Sequence, residues 1–361
     1  MIDLDKHFSD KIEELNSKNL LRTIRNYDES LLNFSSNDYL GLINNIEIKQ
    51  ASSQALQLFG AGAGASRLLT GNSDLYNNLE AAIAKIYSKE SACVFSSGYT
   101  ANIGAISSIV GSRDLIIADK LSHSCIIEGA KLSGAKLIRY NHNDYSHLKK
   151  ILEKERGDYK NCLIISEAVF SMDGDRVDVT KLNQVAKANE AWTYIDYAHD
   201  IIPDDDKPDI VMGTFSKAFA SLGGYVCASE PIIDYIKSKA KSLIYSTALP
   251  PSVLAASSKA VEIYNADKGL AFSAIENAKH FAVLLNITQP ESQIVPIIFG
   301  DEDSVLKAQK KLEEQGFVVS AIRSPTVPAG TSRLRFSFSA SHTQEQIESL
   351  AKAVIKLLDE R

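Results

Sequence analysis

The chain has 361 residues, 45% of them apolar and 23% charged, with a net charge of −6 at neutral pH. That length admits one large domain or, as the preferred reading, two, with enough apolar residues for a core that needs no staples. The negative balance argues against a nucleic-acid role, which needs clustered Lys and Arg, and the absence of a run of about 18 apolar residues argues against a membrane span.

The opening "MIDLDKHFSDKIEEL" is acidic and amphipathic without an apolar h-region, so the expected location is cytoplasmic. Residues 3–25 read as helix, and "LLNFSSNDYLGL" (31–42) as a short strand running into a turn. Helical periodicity follows at 47–59 and at 74–88, the second opening on Ser73 as N-cap. Between them "FGAGAGAS" (59–66) mimics a dinucleotide fingerprint, but that motif needs a strand before it and a helix after it. The segment before it reads as helix, so a nicotinamide site is rejected and the glycines are expected to form a flexible turn lining a site.

Short apolar strands then alternate with helices. "SACVFSS" precedes "TANIGAISSIV", "RDLIIAD" precedes "SCIIEGAKLS", and "KLIRYNH" precedes "YSHLKKILEKE". "NCLIISEAVF", a helix near 180–189, "WTYIDY" and "PDIVMGTFS" follow. This alternation predicts an α/β domain with a mainly parallel sheet. After "IYSTALPP" (244–251) a long helical stretch (252–285) leads to "IVPIIFG", a helix (302–315), "FVVSAI", "RLRFSFS" and a closing helix (343–359), the pattern of a smaller α+β domain. The expected division is 1–45 as a segment packing on the small domain, 46–250 as the large domain and 251–361 as the small one. The cysteines Cys93, Cys125, Cys162 and Cys227 form no C-x-x-C pair, so buried reduced thiols are expected, with no metal site.

In an open α/β sheet, ligands gather at the carboxyl ends of the strands. Here those ends carry Gly98-Tyr99-Thr100 before a helix, Ser122-His123, Glu167 with Ser171, Asp196 with His199, and Thr214, Ser216 and Lys217. Each has an ordinary structural explanation: a turn glycine, a core histidine, a turn-capping aspartate, a surface amine. "DDD" (204–206) reads most simply as a solvated loop. As a set they supply an anion cradle at a helix N-terminus, a carboxylate, two imidazoles and an amine. One cofactor uses all of these, pyridoxal 5'-phosphate.

The segments "NFSSNDYLGL", "GAGASRLLTGNSDLYNNLE", "SSGYTAN", "DKLSHSCIIEGAKLSGA", "EAVFSMDGD", "IDYAH", "GTFSKAFASLGG", "IYSTALPP" and "AIRSPTVPAGTSRLR" resemble the α-oxoamine synthases in unbroken order over about residues 30–345. These are fold-type I pyridoxal-phosphate enzymes that condense an amino acid with an acyl thioester. The resemblance implies a large domain with a mainly parallel seven-stranded sheet flanked by helices, a small α+β C-terminal domain, and a homodimer with active sites at the subunit interface. "FSSNDYLGL", "FSMDGD" and "AIRSPTVPAG", with Arg323, favour the biotin-pathway branch, which joins L-alanine to a pimeloyl thioester of coenzyme A or acyl carrier protein. Siblings using glycine or serine, and a non-catalytic homologue, are the alternatives.

By the same resemblance Lys217 would form the Schiff base and act as general base. Asp196 would pair with the ring nitrogen, His123 would stack on the ring and His199 would bond its phenolic oxygen. Gly98, Tyr99, Ser171 and Thr214 would touch the cofactor, and Ser246 or Thr247 would reach the phosphate in the other subunit. Arg335 and Asn37 would hold the amino-acid carboxylate, and Arg22, Arg323 and Thr326 would line the acyl path. Arg333 is expected on a solvated strand face. Two features depart from the family pattern. Tyr197 stands where Glu is frequent, and "DIIPDDDKPD" (200–209) replaces a longer glycine-rich connection, which predicts a more open or reordered wall.

Overall fold

The computed structural model describes residues 3–200 and 202–360; Ile201 of the 200–209 connection lies outside the described residues. In chain order the strands are β1 (Leu32–Asn33), β2 (Ser91–Phe95), β3 (Leu115–Asp119), β4 (Lys136–Tyr140), β5 (Cys162–Glu167) and β6 (Trp192–Asp196). They continue with β7 (Ile210–Thr214), β8 (Gly224–Ala228), β9 (Ile294–Gly300), β10 (Phe317–Val318), β11 (Ser320–Ile322) and β12 (Ser332–Ser337). The chain divides into a larger unit, Asn37–Ser171 with Asp175–Ser273, and a smaller one that takes the described residues up to Ser36, Met172–Gly174 and the chain from Ala274.

The larger unit holds one seven-stranded sheet in the order β2-β8-β7-β6-β5-β3-β4. Only β8 runs antiparallel to its neighbours. Its inner strands β3, β5, β7 and β8 are buried throughout because helices cover both faces of such a sheet, whereas the edge strand β4 carries Lys136 and Arg139 outward. On one face Ile116, Ala118, Leu163, Ile165, Tyr194, Ile210, Met212 and Val226 alternate inward and pack on Ala101, Ala105, Ile126, Ala130, Ile233 and Ile236 of the helices Gly98–Ile109, Ser124–Ser133 and Glu230–Lys239. From β3 the chain steps outward to β4, then returns to place β5 on the other side of β3. The strand order reverses there, which opens a crevice at the carboxyl edge.

The sequence reading names six of these strands and misses β8. "GYVCA" is short and entered through two glycines that read as a turn. Gly223 does sit at φ +117°, but Gly224 already belongs to the strand, and a Cβ on it would lie 2.6 Å from Gly98 Cα. The expected helix over 3–25 ends at Ser17, where the chain leaves through Asn19 at φ +55°. The single stretch 252–285 is two helices, Pro251–Ala266 and Gly269–Leu284, separated where Asp267 Oδ1 accepts from Gly269 N. The first packs on the helices Ile46–Phe59 and Asp74–Ile86, so the larger unit runs to Ser273 rather than to Pro250.

In the smaller unit "FVVSAI" is split. β10 pairs with β1 in parallel, while β11 joins β12 and β9 in an antiparallel sheet, with Val319 as the crossover. Phe34, Phe281, Leu334, Phe336, Phe338, Ile347, Leu350 and Val354 form its core. Arg333 is not on a solvated face: it is buried, because Asp173 supplies the opposite charge and Met172 O a second acceptor. Among the described residues, no helix is long and apolar enough to cross a membrane.

Candidate active site

The end of β7 builds the first wall. Thr214 Oγ1 donates to Gly223 O at 2.7 Å and lies 2.8 Å from Ser216 Oγ, which fixes a tight turn over 215–221. Lys217 projects from that turn with Nζ 2.7 Å from His199 Nε2. His199 follows β6 by three residues, and its Nδ1 lies 2.6 Å from the hydroxyl of Tyr39, which donates to Asn37 Oδ1 at 2.9 Å. The tautomer that satisfies this series carries its proton on Nδ1 and accepts from Lys217 through Nε2.

The opposite wall is a buried polar cluster. Asp196, the last residue of β6, accepts from Asn102 Nδ2 at 2.7 Å and from Ala198 N at 2.8 Å. Asn102 also donates to Cys125 Sγ at 3.1 Å and accepts from Tyr194 at 2.8 Å. His123 caps the helix Ser124–Ser133, its Nδ1 accepting from Cys125 N at 3.3 Å, and its own backbone N donates to Glu167 Oε1. Burial, aided by the charge of Lys217 and opposed by Asp196, pushes His123 below the ordinary imidazole range. Burial, then the Asp196 charge, pushes the Glu167 carboxyl well above its usual range.

The third wall is the junction of β2 with the helix Gly98–Ile109. Ser97 and Thr100 form a reciprocal capping box, with Ser97 Oγ accepting from Thr100 N at 3.1 Å and Thr100 Oγ1 from Ser97 N at 3.0 Å. That leaves the free amides of the first turn toward the cavity. A Cβ on Gly98 would lie 3.1 Å from Met212 Cε and 3.2 Å from Thr214 Cβ, a tight fit that favours glycine there.

These walls enclose a cavity of about 260 Å³ lined by Gly98, Tyr99, Asn102, His123, Asp196, His199, Thr214 and Lys217, among others. The structure thus brings together the amine, both imidazoles, the carboxylate and the helix N-terminus picked out from the sequence. Asn37 joins them through Tyr39. Ser171, Ser246 and Thr247 do not line this cavity among the described residues. The last two border a separate crevice with Arg67 and Tyr76. Nor do the glycines of 60–64 line it: Gly60 (φ +88°) and Gly64 (φ +67°) follow a helix, as the rejection of a dinucleotide site requires.

In the smaller unit Arg22, Arg323 and Thr326 line a second cavity of about 590 Å³, where Arg22 Nη2 donates to Thr326 Oγ1 at 2.8 Å and Arg323 to Asn19 O. Arg335 is buried and donates to Ser337 Oγ at 2.6 Å. Tyr39, Asn102 and Cys125 escaped the sequence reading as site residues. Tyr39 and Asn102 lie inside segments that stood out, "NDYLGL" and "SSGYTAN", but each reads there as an ordinary helix or turn residue.

The model of the class I and II aminotransferase family matches residues 29–354. An 8-amino-7-oxononanoate synthase from Methylobacterium sp. (strain 4-46) is 43% identical over 91% of this chain and 87% of that protein. Among solved structures, a serine palmitoyltransferase with a PLP internal aldimine is similar at a TM-score of 0.91 and 25% identity, covering 99% of both chains. An 8-amino-7-oxononanoate synthase from Francisella tularensis is similar at a TM-score of 0.77 and 27% identity, covering 92% of this chain and 99% of that one. The residues of the 260 Å³ cavity fit pyridoxal phosphate: an amine for its aldehyde, a carboxylate for its ring nitrogen and a Cβ-free helix N-terminus for its phosphate.

Proposed function

The chain belongs to the class I and II aminotransferase family, and from that premise we propose that it joins L-alanine to a pimeloyl thioester. Carbon dioxide and the carrier thiol leave, and 8-amino-7-oxononanoate forms for biotin biosynthesis. The observation that carries this reading is the meeting of Lys217 and His199 with Asp196 and His123 in one cavity.

Pyridoxal phosphate, when bound, supplies an aldehyde for the amino group and a ring that delocalises the electron pair of the α-carbon. Lys217 would hold the cofactor before substrate arrives and would then take the α-proton. Asp196, kept in place by Asn102 and Ala198 N, holds a proton on the ring nitrogen. His123 would lie against the ring, and His199 would bond its phenolic oxygen. Gly98 and Tyr99 would offer backbone amides at the phosphate end, with Thr214 and Ser171 as further cofactor contacts. Arg335 and Asn37 take the carboxylate of alanine.

A pimeloyl chain differs from a fatty acyl chain by its distal carboxylate. Arg22 and Arg323 face one cavity and, among the described residues, neither is ion-paired to an Asp or Glu, whereas Arg25 in the same cavity is paired with Glu313. They are suited to that carboxylate, with Thr326 beside them. We further infer a homodimer in which Ser246 and Thr247 complete the partner's phosphate site. The four buried free cysteines fit a reducing compartment, the cytoplasm.

The test offers the holoenzyme alanine, glycine and serine in turn with pimeloyl and with octanoyl thioesters, and identifies products by mass. Alanine with the pimeloyl thioester should dominate. Arg22→Ala and Arg323→Ala should each raise its KM by roughly 10- to 100-fold, the weight of a charged hydrogen bond, while leaving the octanoyl compound unaffected. A preference for serine with the plain chain would favour the serine palmitoyltransferase reading suggested by the similar fold.

A further inference from the structure

We propose that Cys125 and Asn102 are positioning residues that hold the His123 ring as its Nε2–H tautomer and link it to the carboxylate of Asp196. Donors and acceptors that meet at Asn102, Cys125 and His123 favour this arrangement. Tyr194 donates to Asn102 Oδ1 at 2.8 Å, which settles the orientation of the amide: its NH₂ end faces Asp196 Oδ2 at 2.7 Å and Cys125 Sγ at 3.1 Å. Both amide hydrogens are then used, one on the carboxylate and one on the sulfur. Cys125 Sγ in turn lies 2.9 Å from His123 Nδ1.

That ring nitrogen already accepts from the backbone N of Cys125 at 3.3 Å, as the cap of the helix Ser124–Ser133. A nitrogen that accepts carries no proton, so the thiol hydrogen also points at it and the ring proton sits on Nε2. The thiol keeps its hydrogen, because burial and then the Asp196 charge push Cys125 up to about 12. Asp196, Glu167 and Lys217 act by charge around this imidazole and thiol, and the Tyr99 ring stands edge-on to the imidazole. Asn102 is fully buried and Cys125 nearly so, which keeps water from substituting for either donor. The cavity therefore meets a neutral imidazole whose one N–H is Nε2–H, in a plane set by the cysteine.

The consequence for catalysis rests on the reading of this cavity as the cofactor site, but the tautomer itself does not. The experiment is long-range ¹H–¹⁵N correlation of the histidine rings in cofactor-free protein, following His123 from pH 5 to 8, in wild type, Cys125→Ser and Cys125→Ala. Wild type should show Nε2–H, and Cys125→Ser, which keeps a donor, should match it. Cys125→Ala should show a rising share of Nδ1–H and a His123 titration moved upward by about half a unit or more, since a donor to the neutral ring is gone. It should also bind pyridoxal phosphate about 5-fold more weakly, the loss of one ordinary hydrogen bond. Unchanged ring signals and titration in Cys125→Ala would overturn the proposal, as would a serine variant that behaves like the alanine one. Use of another amino acid or acyl group would sink the proposed reaction and leave these ring data standing.

Discussion

His142 carries a carboxylate on each ring nitrogen: Asp119 Oδ1 at 3.0 Å from Nδ1 and Asp175 Oδ2 at 2.7 Å from Nε2. Burial alone would lower its affinity for a proton, but the hydrogen bonds and charges of Asp119 and Asp175 outweigh it and push the group up to about 10. An unfolded histidine titrates near 6.5, so this pair stabilises the fold fully below that pH and loses its contribution as the pH rises toward about 10. His142→Gln should therefore lower the free energy of unfolding in urea by about 2 kcal/mol at pH 6, and the gap to wild type should close by pH 10. A gap that stays constant would mean the imidazole is neutral in the folded protein. The sequence does not disclose this pair, because Asp175 lies 33 residues away in "FSMDGD" and His142 reads as the tail of a strand. Lys217 and Asp196 were legible for the opposite reason. Each ends an apolar run, where a charge is out of place unless the strand's end is used.

The connection over 200–209 is expected to give a more open or reordered wall, and its 204–206 run to be solvated. Its described residues are anchored instead. Tyr197 is buried and donates to Asp204 Oδ2 at 2.7 Å, and Asp209 Oδ2 accepts from Thr193 N at 2.8 Å. Buried Asp200 pairs with Arg176 at 2.5 Å, and Asp204 lies 3.8 Å from the same guanidinium. Of the "DDD" run, Asp205 is exposed, while Asp204 and Asp206 are partly buried. The described part of the segment is tied by charge pairing to Arg176, a connection that sequence spacing does not encode. Removing the partner exposes the arrangement. Burial already raises Asp200, and Arg176 is what opposes that rise. In Arg176→Ala the carboxylate is left buried and unpaired, a loss of about 3–5 kcal/mol at pH 8. A raised carboxyl is stabilising when protonated, so the sign favours acid: the deficit should be smaller at pH 5 than at pH 8 in denaturant titrations. An equal deficit at both values would place Asp200 in water.

At the scale of the molecule, the α/β alternation foretold the large sheet, whereas the switch in texture after residue 250 falls inside the larger unit, which runs to Ser273. A contact between copies leaves no periodic signal in one chain, so the proposed homodimer calls on another kind of observation. Ser246 and Thr247 lie off the Lys217 cavity, yet Thr247 bridges to Ser66, beside Leu68, Leu69 and Tyr245, which are 57%, 77% and 83% exposed. Large apolar side chains at that exposure on neighbouring segments mark an interaction surface. If a two-fold dimer exchanges Thr247 between sites, each site combines Lys217 of one copy with Thr247 of the other. Lys217→Ala and Thr247→Val should each be impaired alone. Unfolded together and refolded as an equal mixture, half of the dimers are mixed and each holds one site with both residues intact. Activity should then recover to about a quarter of wild type. Light scattering should report a dimer at every stage. Recovery no greater than the average of the two variants would show that each cavity is completed by its own chain.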